Sequence, residues 1–296
     1  MKKSQSAMEY LMTYGWAILI IAVVLGIMFQ LGLFGGGAFT TKRPPNSCEI
    51  VRPNGPGTSS YANLEGECNG ILPEYVAFVS NALGGNIRIV TSGTFSFPNG
   101  FSVALWFRSV GGGSCGVSEV GTLFSATQLP TGSNPQFGVG TTSPALMYST
   151  TWNGLGNSGP SVAGTPIDGK WHFVALTYNN VASTLYFDGS NSVASTPSYA
   201  FTTINEIEIG YGTGQNWCSA NASVANLQLY NTSLTGAEAQ ALWLEGVGGA
   251  PVYPTYAYLW WTLNGNANDH SGNDYNGQAN SGVSYSSTWT SQYTAP

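Results

Sequence analysis

Charge is what this sequence has least of: Asp, Glu, Lys and Arg make up only 7% of its 296 residues, and the net charge is -6. Its eight basic residues are scattered, and binding a phosphate backbone needs a basic patch, so nucleic acid is excluded as a partner. The only two histidines, His172 and His270, lie too far apart in sequence to point to a catalytic triad. No Cys-x-x-Cys and no histidine pair supports a zinc site, the alternative use of the four cysteines. The polar surface must come from Ser, Thr, Asn and Gly, which suits an exported protein.

One long apolar run stands out against this background. From Trp16 to Phe34 the only polar side chain is Gln30, and 19 such residues are enough to cross a bilayer as a helix. Lys2 and Lys3 precede the run and nothing basic follows until Lys42 and Arg43, which favours a cytoplasmic N-terminus with the rest of the chain outside. Gly36, Gly37 and Ala38 offer a small-x-small site of the kind that follows a secretory signal peptide. The apolar core of such a peptide is about 7 to 15 residues, however, and this run is longer and preceded by Glu9, so retention of the helix is favoured. From Gln5 to Phe34 it would be about 45 Å long. Glu9 itself is either an acid tolerated at the membrane interface or one with a partner, because a carboxylate costs up to about 2.5 to 3.5 kcal/mol at the centre of a span.

Ser4-Gln5-Ser6-Ala7-Met8-Glu9, directly behind Lys2 and Lys3, resembles the class III signal peptides of archaeal type IV pilin-like proteins: a basic leader, Gln-x-Ser-x-Glu, then a hydrophobic helix. Ala7 stands where Ser is common and Ser4 where Gly is common. The resemblance implies cleavage between Ser4 and Gln5, and pairing of Glu9 with the freed amine of a neighbouring subunit during filament assembly. Such pairing is physically reasonable, since a buried carboxylate and a buried ammonium are each costly alone.

Beyond the helix the chain reads as exported. An even number of cysteines outside the cytoplasm reads as disulfides, and four allow three connectivities. Cys48 with Cys68 and Cys115 with Cys218 is the favoured pairing, the first bracketing a Pro/Gly/Asn-rich stretch and the second joining two glycine-rich loops. Asn221-Ala222-Ser223 and Asn231-Thr232-Ser233 are glycosylation sequons.

Past residue 45 the pattern turns to β. Phe101, Val103, Leu105 and Phe107 alternate with Ser102, Ala104, Trp106 and Arg108, the period of a half-buried strand. Similar runs lie at 75–80, 86–91, 120–125, 171–178, 184–187, 206–210, 224–230 and 258–263, separated by Gly, Pro, Asn and Ser turns, and together they predict a β-sandwich. One helix is expected at 236–245, opened by Thr235 and Glu238 in capping-box spacing and closed by Gly246. The ordered run Phe101-Ser-Val-Ala-Leu-Trp-Phe, Gly121-Thr-Leu-Phe-Ser, Trp171-His-Phe-Val-Ala-Leu-Thr-Tyr, Leu185-Tyr-Phe-Asp-Gly and Leu227-Gln-Leu-Tyr resembles the laminin-G-like, concanavalin A-like jelly rolls over roughly residues 71–245. Leu259-Trp-Trp-Thr-Leu resembles the opening strand of that family yet comes last, as in a circularly permuted jelly roll.

Sites are harder to read. The fold implied includes β-glucanases, and Glu206-Ile207-Glu208 is the nearest approach to their acid cluster, but it lacks a third acid and catalysis is not expected. His172 is expected on an outer strand face, and Asp188-Gly189 at a hairpin turn. Asn264, Asn266, Asn268, Asp269, Asn273 and Asp274 crowd oxygens into one glycine-containing loop, with Asp269, Asn273 and Asp274 the calcium candidates; ordinary turn formation is the stronger reading, so no cofactor is expected. Trp152, Trp217 or Trp289, if exposed, would stack on sugars.

The expected organisation is a leader at 1–4, an assembly or transmembrane helix at 5–34, a linker at 35–47 and a laminin-G-like head at 48–296. The expected role is a non-enzymatic subunit of an extracellular type IV pilus-like homopolymer, held in the membrane before assembly and displaying a head for a surface carbohydrate or protein. The alternative is a membrane-tethered carbohydrate-binding adhesin that does not polymerise. N-terminal mass spectrometry should find a mature chain beginning at Gln5; a start at Phe39 would contradict the pilin-like reading, because the helix would be gone.

Overall fold

The computed structural model describes residues 14–25, 47–51, 60–63, 71–80, 88–111, 120–127, 137–142, 146–152, 157–163, 166–189, 191–195, 203–210, 217–280 and 282–296. The chain divides into two compact units, Met1–Pro45 and Asn46–Pro296. In the first, residues 14–25 form helix α1, and every one of them is exposed. Among the described residues no helix is long and apolar enough to cross a membrane. The flanking parts of the expected 5–34 helix, including Ser4, Gln5 and Glu9, lie outside the described residues.

The second unit is a sandwich. A small sheet at its start joins β1 (Ser47–Val51) to β2 (Ser60–Asn63) and β3 (Ile71–Pro73). Two large sheets follow. The eight-stranded sheet contains β4 (Val76–Val79), β6 (Phe101–Gly111), β12 (Trp171–Tyr178), β13 (Ser183–Phe187), β14 (Asn191–Ser195), β17 (Asn221–Tyr230), β18 (Ala257–Trp261) and β20 (Ser284–Ser286). The nine-stranded sheet contains β5 (Ile89–Ser96), β7 (Val120–Thr127), β8 (Phe137–Thr142), β9 (Leu146–Trp152), β10 (Asn157–Ser158), β11 (Ser161–Ala163), β15 (Thr203–Ile209), β16 (Trp217–Ser219) and β19 (Gln278–Ala279). All nine expected strands are present. β18 comes late in the chain but lies beside β17, on the same flank of it as β4.

Alternation decides what each strand buries. Phe101, Val103, Leu105 and Phe107 of β6 join Val174, Leu176, Leu185, Leu227, Leu229, Leu259 and Trp261 in the core between the sheets. Each large side chain taken wholly out of water there contributes about 1.5–3 kcal/mol. The other face of β6 differs from the half-buried expectation: Ala104 and Trp106 are also buried, in a second cluster with Phe173, Tyr230, Leu242, Trp289 and Tyr293. This face is covered by helix α2 (Gly236–Leu244) and the C-terminal segment, so the outer side of the eight-stranded sheet is itself a packed layer.

Helix α2 begins as its sequence demands. The Thr235 N–H donates to the Glu238 carboxylate at 2.7 Å, and the Glu238 N–H donates to Thr235 Oγ1 at 3.4 Å. The hydrogen bond from the Tyr253 hydroxyl, with that from the Thr235 backbone, lowers the Glu238 pKa. Because the cap satisfies N–H groups that the helix cannot, Thr235→Ala should lower the free energy of unfolding by about 1 kcal/mol in urea titrations. An unchanged midpoint would show that the cap adds nothing.

Candidate functional site

Between Ala225 and Gln228 the register of β17 against β6 shifts, so that β17 accommodates one extra residue. Asn226 takes the left-handed conformation there, with φ 51°, which Asn adopts more readily than most residues. Its amide is buried and tied to three groups. Oδ1 accepts from Trp260 Nε1 at 2.8 Å and from Gln228 Nε2 at 3.1 Å, while Nδ2 donates to the Gly249 carbonyl at 2.7 Å. Gln228 donates to the same carbonyl at 2.9 Å and accepts from the Tyr230 hydroxyl at 2.5 Å. Burial raises the Tyr230 pKa, so the phenol stays a donor at any ordinary pH.

Beside this network opens a cavity of about 520 Å³. Small-molecule sites run from about 300 to 1,000 Å³. Asn226 and the half-buried Trp260 line it, with Thr262, Asn264, Asn266, Asn268 and His270 from the chain that follows β18. Pro73, Val247, Gly248 and Ala250 complete the lining with apolar and backbone surface. The His270 ring meets the Trp260 indole edge-on with centroids 5.8 Å apart, and its backbone N–H donates to the Trp260 carbonyl at 2.8 Å.

Asp269 fixes this loop. Its Oδ1 accepts from the N–H groups of Trp260 and Ser271, each at 2.9 Å, and its Oδ2 from the Ser271 hydroxyl at 2.8 Å and the Tyr275 N–H at 3.0 Å. Asn273 turns its amide nitrogen to the carbonyls of Ala257 and Tyr258. Asp274 is exposed, with φ 60°. Thus the three calcium candidates share a loop, but Asp269 already serves four donors. Among the described residues no group of three or more His, Cys, Asp or Glu is arranged to hold a metal ion.

The remaining candidates fall elsewhere. Glu206 and Glu208 lie on β15, where Glu208 is fully buried, paired with Arg88 and reached by Ser125 Oγ at 3.4 Å. Burial pushes the Glu208 pKa up to about 7 against the opposing charge of Arg88, and Glu206, hydrogen-bonded to it, pushes the same way. Glycosidase carboxyls stand about 5 to 9.5 Å apart, whereas these two are in hydrogen-bond contact. Trp289 is buried, and its Nε1 donates to the Glu74 carbonyl. Asn221 is half-buried within β17, and Asn231 follows that strand with its side-chain oxygen enclosed. Cys48 and Cys218 lie on β1 and β16; Cys68 and Cys115 lie outside the described residues, as does the pairing.

His172 is not on an outer face. It points inward at the end of β12, stacked on Phe187 with centroids 5.0 Å apart. Asp188 Oδ2 lies 2.7 Å from Nδ1 and Asp168 Oδ1 lies 3.0 Å from Nε2. Asp188 (φ 48°) and Gly189 (φ 67°) form the expected turn between β13 and β14, which aims the aspartate at the ring.

With this geometry in hand, the model of the concanavalin A-like lectin/glucanases superfamily matches residues 82–240. The chain belongs to this family. A heptameric SAP-like pentraxin from Limulus polyphemus is 12% identical with a TM-score of 0.52, the match covering 71% of this chain and 94% of that one. A candidate carbohydrate-binding protein from Bacteroides ovatus is 14% identical with a TM-score of 0.52, covering 77% of this chain and 63% of that one. At such identities the likeness is one of fold. No curated protein matches the sequence. Apart from Asn226, the residues lining the cavity all lie outside the segment that the concanavalin A-like model matches. Sequence reading missed both Asn226 and Trp260. The signal was present, since Val224, Leu227 and Leu229 share a core face only if the strand bulges between them.

The His172 cluster sets a pH dependence. Desolvation opposes the charged ring, but hydrogen bonds and charge from Asp188 and Asp168 outweigh it, so the pKa is raised; Lys170, 3.9 Å from Asp168, faces the same group. The stabilisation is complete below about pH 6.5 and is lost as pH rises through the folded-state pKa. Asp168→Asn should move the His172 titration, followed by NMR, back toward lower pH. An unmoved titration would show that Asp168 does not hold the charged ring.

Proposed function

We propose that this protein is a carbohydrate-binding surface protein, its concanavalin A-like head carrying the ligand site and its N-terminal segment the anchor. The observation that carries the reading is the cavity beside Trp260: a partly open indole, an amide network held rigid beneath it and three further asparagines along the rim. A pyranose has a C–H-rich face that packs on an aromatic ring and hydroxyls that need donors and acceptors around its edge, and this lining supplies both. The likeness to the Bacteroides ovatus protein supports the reading at the level of fold. The reading is a non-enzymatic one: among the described residues, the acid pair on β15, Glu206 and Glu208, is in mutual contact and paired with Arg88.

A second reading, assembly into a type IV pilus-like filament, is favoured by one observation. Helix α1 exposes Trp16, Ile18, Leu19, Ile20, Ile21, Val23, Val24 and Leu25 with no polar face, so it calls for a membrane or for other helices around it. The two readings are compatible, because filament subunits display their heads. If Glu9 serves assembly, Glu9→Gln should leave the protein inserted but sharply reduce filaments counted by electron microscopy at matched subunit levels; a wild-type yield would remove that role.

For the carbohydrate reading, the detergent-solubilised full chain should be retained on an immobilised polysaccharide and released by free sugar. Trp260→Ala should abolish retention while leaving the circular dichroism spectrum unchanged. A variant retained as well as wild type would place the site elsewhere.

A further inference from the structure

The charge of the cavity lining narrows the ligand. Among the described residues that line it, none is Asp, Glu, Lys or Arg, and the only titratable side chain is His270. A carboxylated or sulfated sugar entering it would lose water and gain no cation, and an amino sugar bearing a free ammonium would gain no carboxylate. Either transfer is strongly unfavourable without a counter-charge.

The same lining favours one neutral group. Asn226 is 5% exposed, its Oδ1 is occupied by two donors, and Nδ2 spends one N–H on Gly249. An amide carries two such hydrogens, so the second lacks a partner among the described residues. A buried donor of this kind gains from an acceptor in the cavity. Val247, Ala250 and Pro73 add apolar surface to the same space, suited to a methyl group. An acetamido group brings the carbonyl and the methyl together, whereas a deoxysugar brings the methyl without the amide oxygen.

Building on the carbohydrate reading, we propose that the Trp260 cavity binds an uncharged N-acetylhexosamine, and does so without a metal ion. The second part follows from Asp269, whose four hydrogen bonds order the loop from within, a task that a bound cation would otherwise perform. Asn226, which offers the donor, lies within residues 82–240, whereas Trp260 and the other lining residues lie outside them, so the specificity joins one residue of the shared fold to the segments that flank it.

The test titrates the full chain in detergent with N-acetylglucosamine, N-acetylgalactosamine, glucose and glucuronic acid, with and without EDTA. An N-acetylhexosamine should bind at least tenfold tighter than glucose or glucuronic acid, and EDTA should leave that affinity unchanged. The exposed Asn268→Lys adds a cation at the rim without touching the network, and should improve glucuronic acid relative to N-acetylglucosamine by about fivefold. Wild-type preference for glucuronic acid, no preference for the acetamido sugars, loss of binding in EDTA, or an Asn268→Lys chain with unaltered selectivity would each overturn the inference while leaving carbohydrate binding in place. A folded chain that binds none of the four sugars would remove the carbohydrate reading itself.

Discussion

β17 pairs with β6 on one side and with both β4 and β18 on the other, and within it one residue breaks the two-residue alternation. Ala222 and Val224 point into the core between the sheets, and so do Leu227 and Leu229. Those two pairs are out of phase by one, so without an extra residue the leucines would turn to the opposite face, since a one-residue slip reverses every side chain beyond it. Asn226 is that residue. The irregularity that completes the core also leaves a primary amide on the outer face, where it joins Trp260, Gln228 and Gly249.

Rigidity of the cavity follows from this. Three hydrogen bonds fix the Asn226 amide, a fourth orients Gln228 and a fifth the Tyr230 hydroxyl, at buried or half-buried positions, and where a group is buried an unmade bond costs about 1–3 kcal/mol. Trp260 is held at two points, its indole N–H on Asn226 and its backbone N–H on Asp269. An aromatic face held this way loses little conformational freedom when a ligand covers it, which is where much of a binding site's cost otherwise lies.

How far the sequence revealed this structure depends on the kind of residue. Strands written in alternating large apolar residues, such as β6 and β12, were legible, and so was helix α2, whose cap is local chemistry. β8 and β9 were not. Phe137-Gly-Val-Gly-Thr-Thr and Leu146-Met-Tyr-Ser-Thr-Thr-Trp are rich in small and hydroxyl residues, and their strand state is set by the partner lying alongside. The site was hidden for a related reason. Asn226 lies on β17, Gly249 follows α2 and Asp269 follows β18, and only the fold brings them together. The Asp269 loop is rich in turn residues, but the backbone donors that its carboxylate gathers are invisible in sequence. His172 was misplaced because Asp168 and Asp188, which let a polar ring face inward, come from a loop and a hairpin turn.

The family gives the chain its sandwich and Asn226, while Pro73 and residues after position 240 supply the rest of the cavity lining. In the first unit, helix α1 exposes an apolar surface with no polar face. The most direct test of the account labels the nine tryptophans with ¹⁵N and follows their indole N–H signals as N-acetylglucosamine is added. The account predicts a saturable shift of the Trp260 signal, with the buried Trp261 and Trp289 nearly still. Movement confined to any other tryptophan, with Trp260 unmoved at saturation, would contradict it.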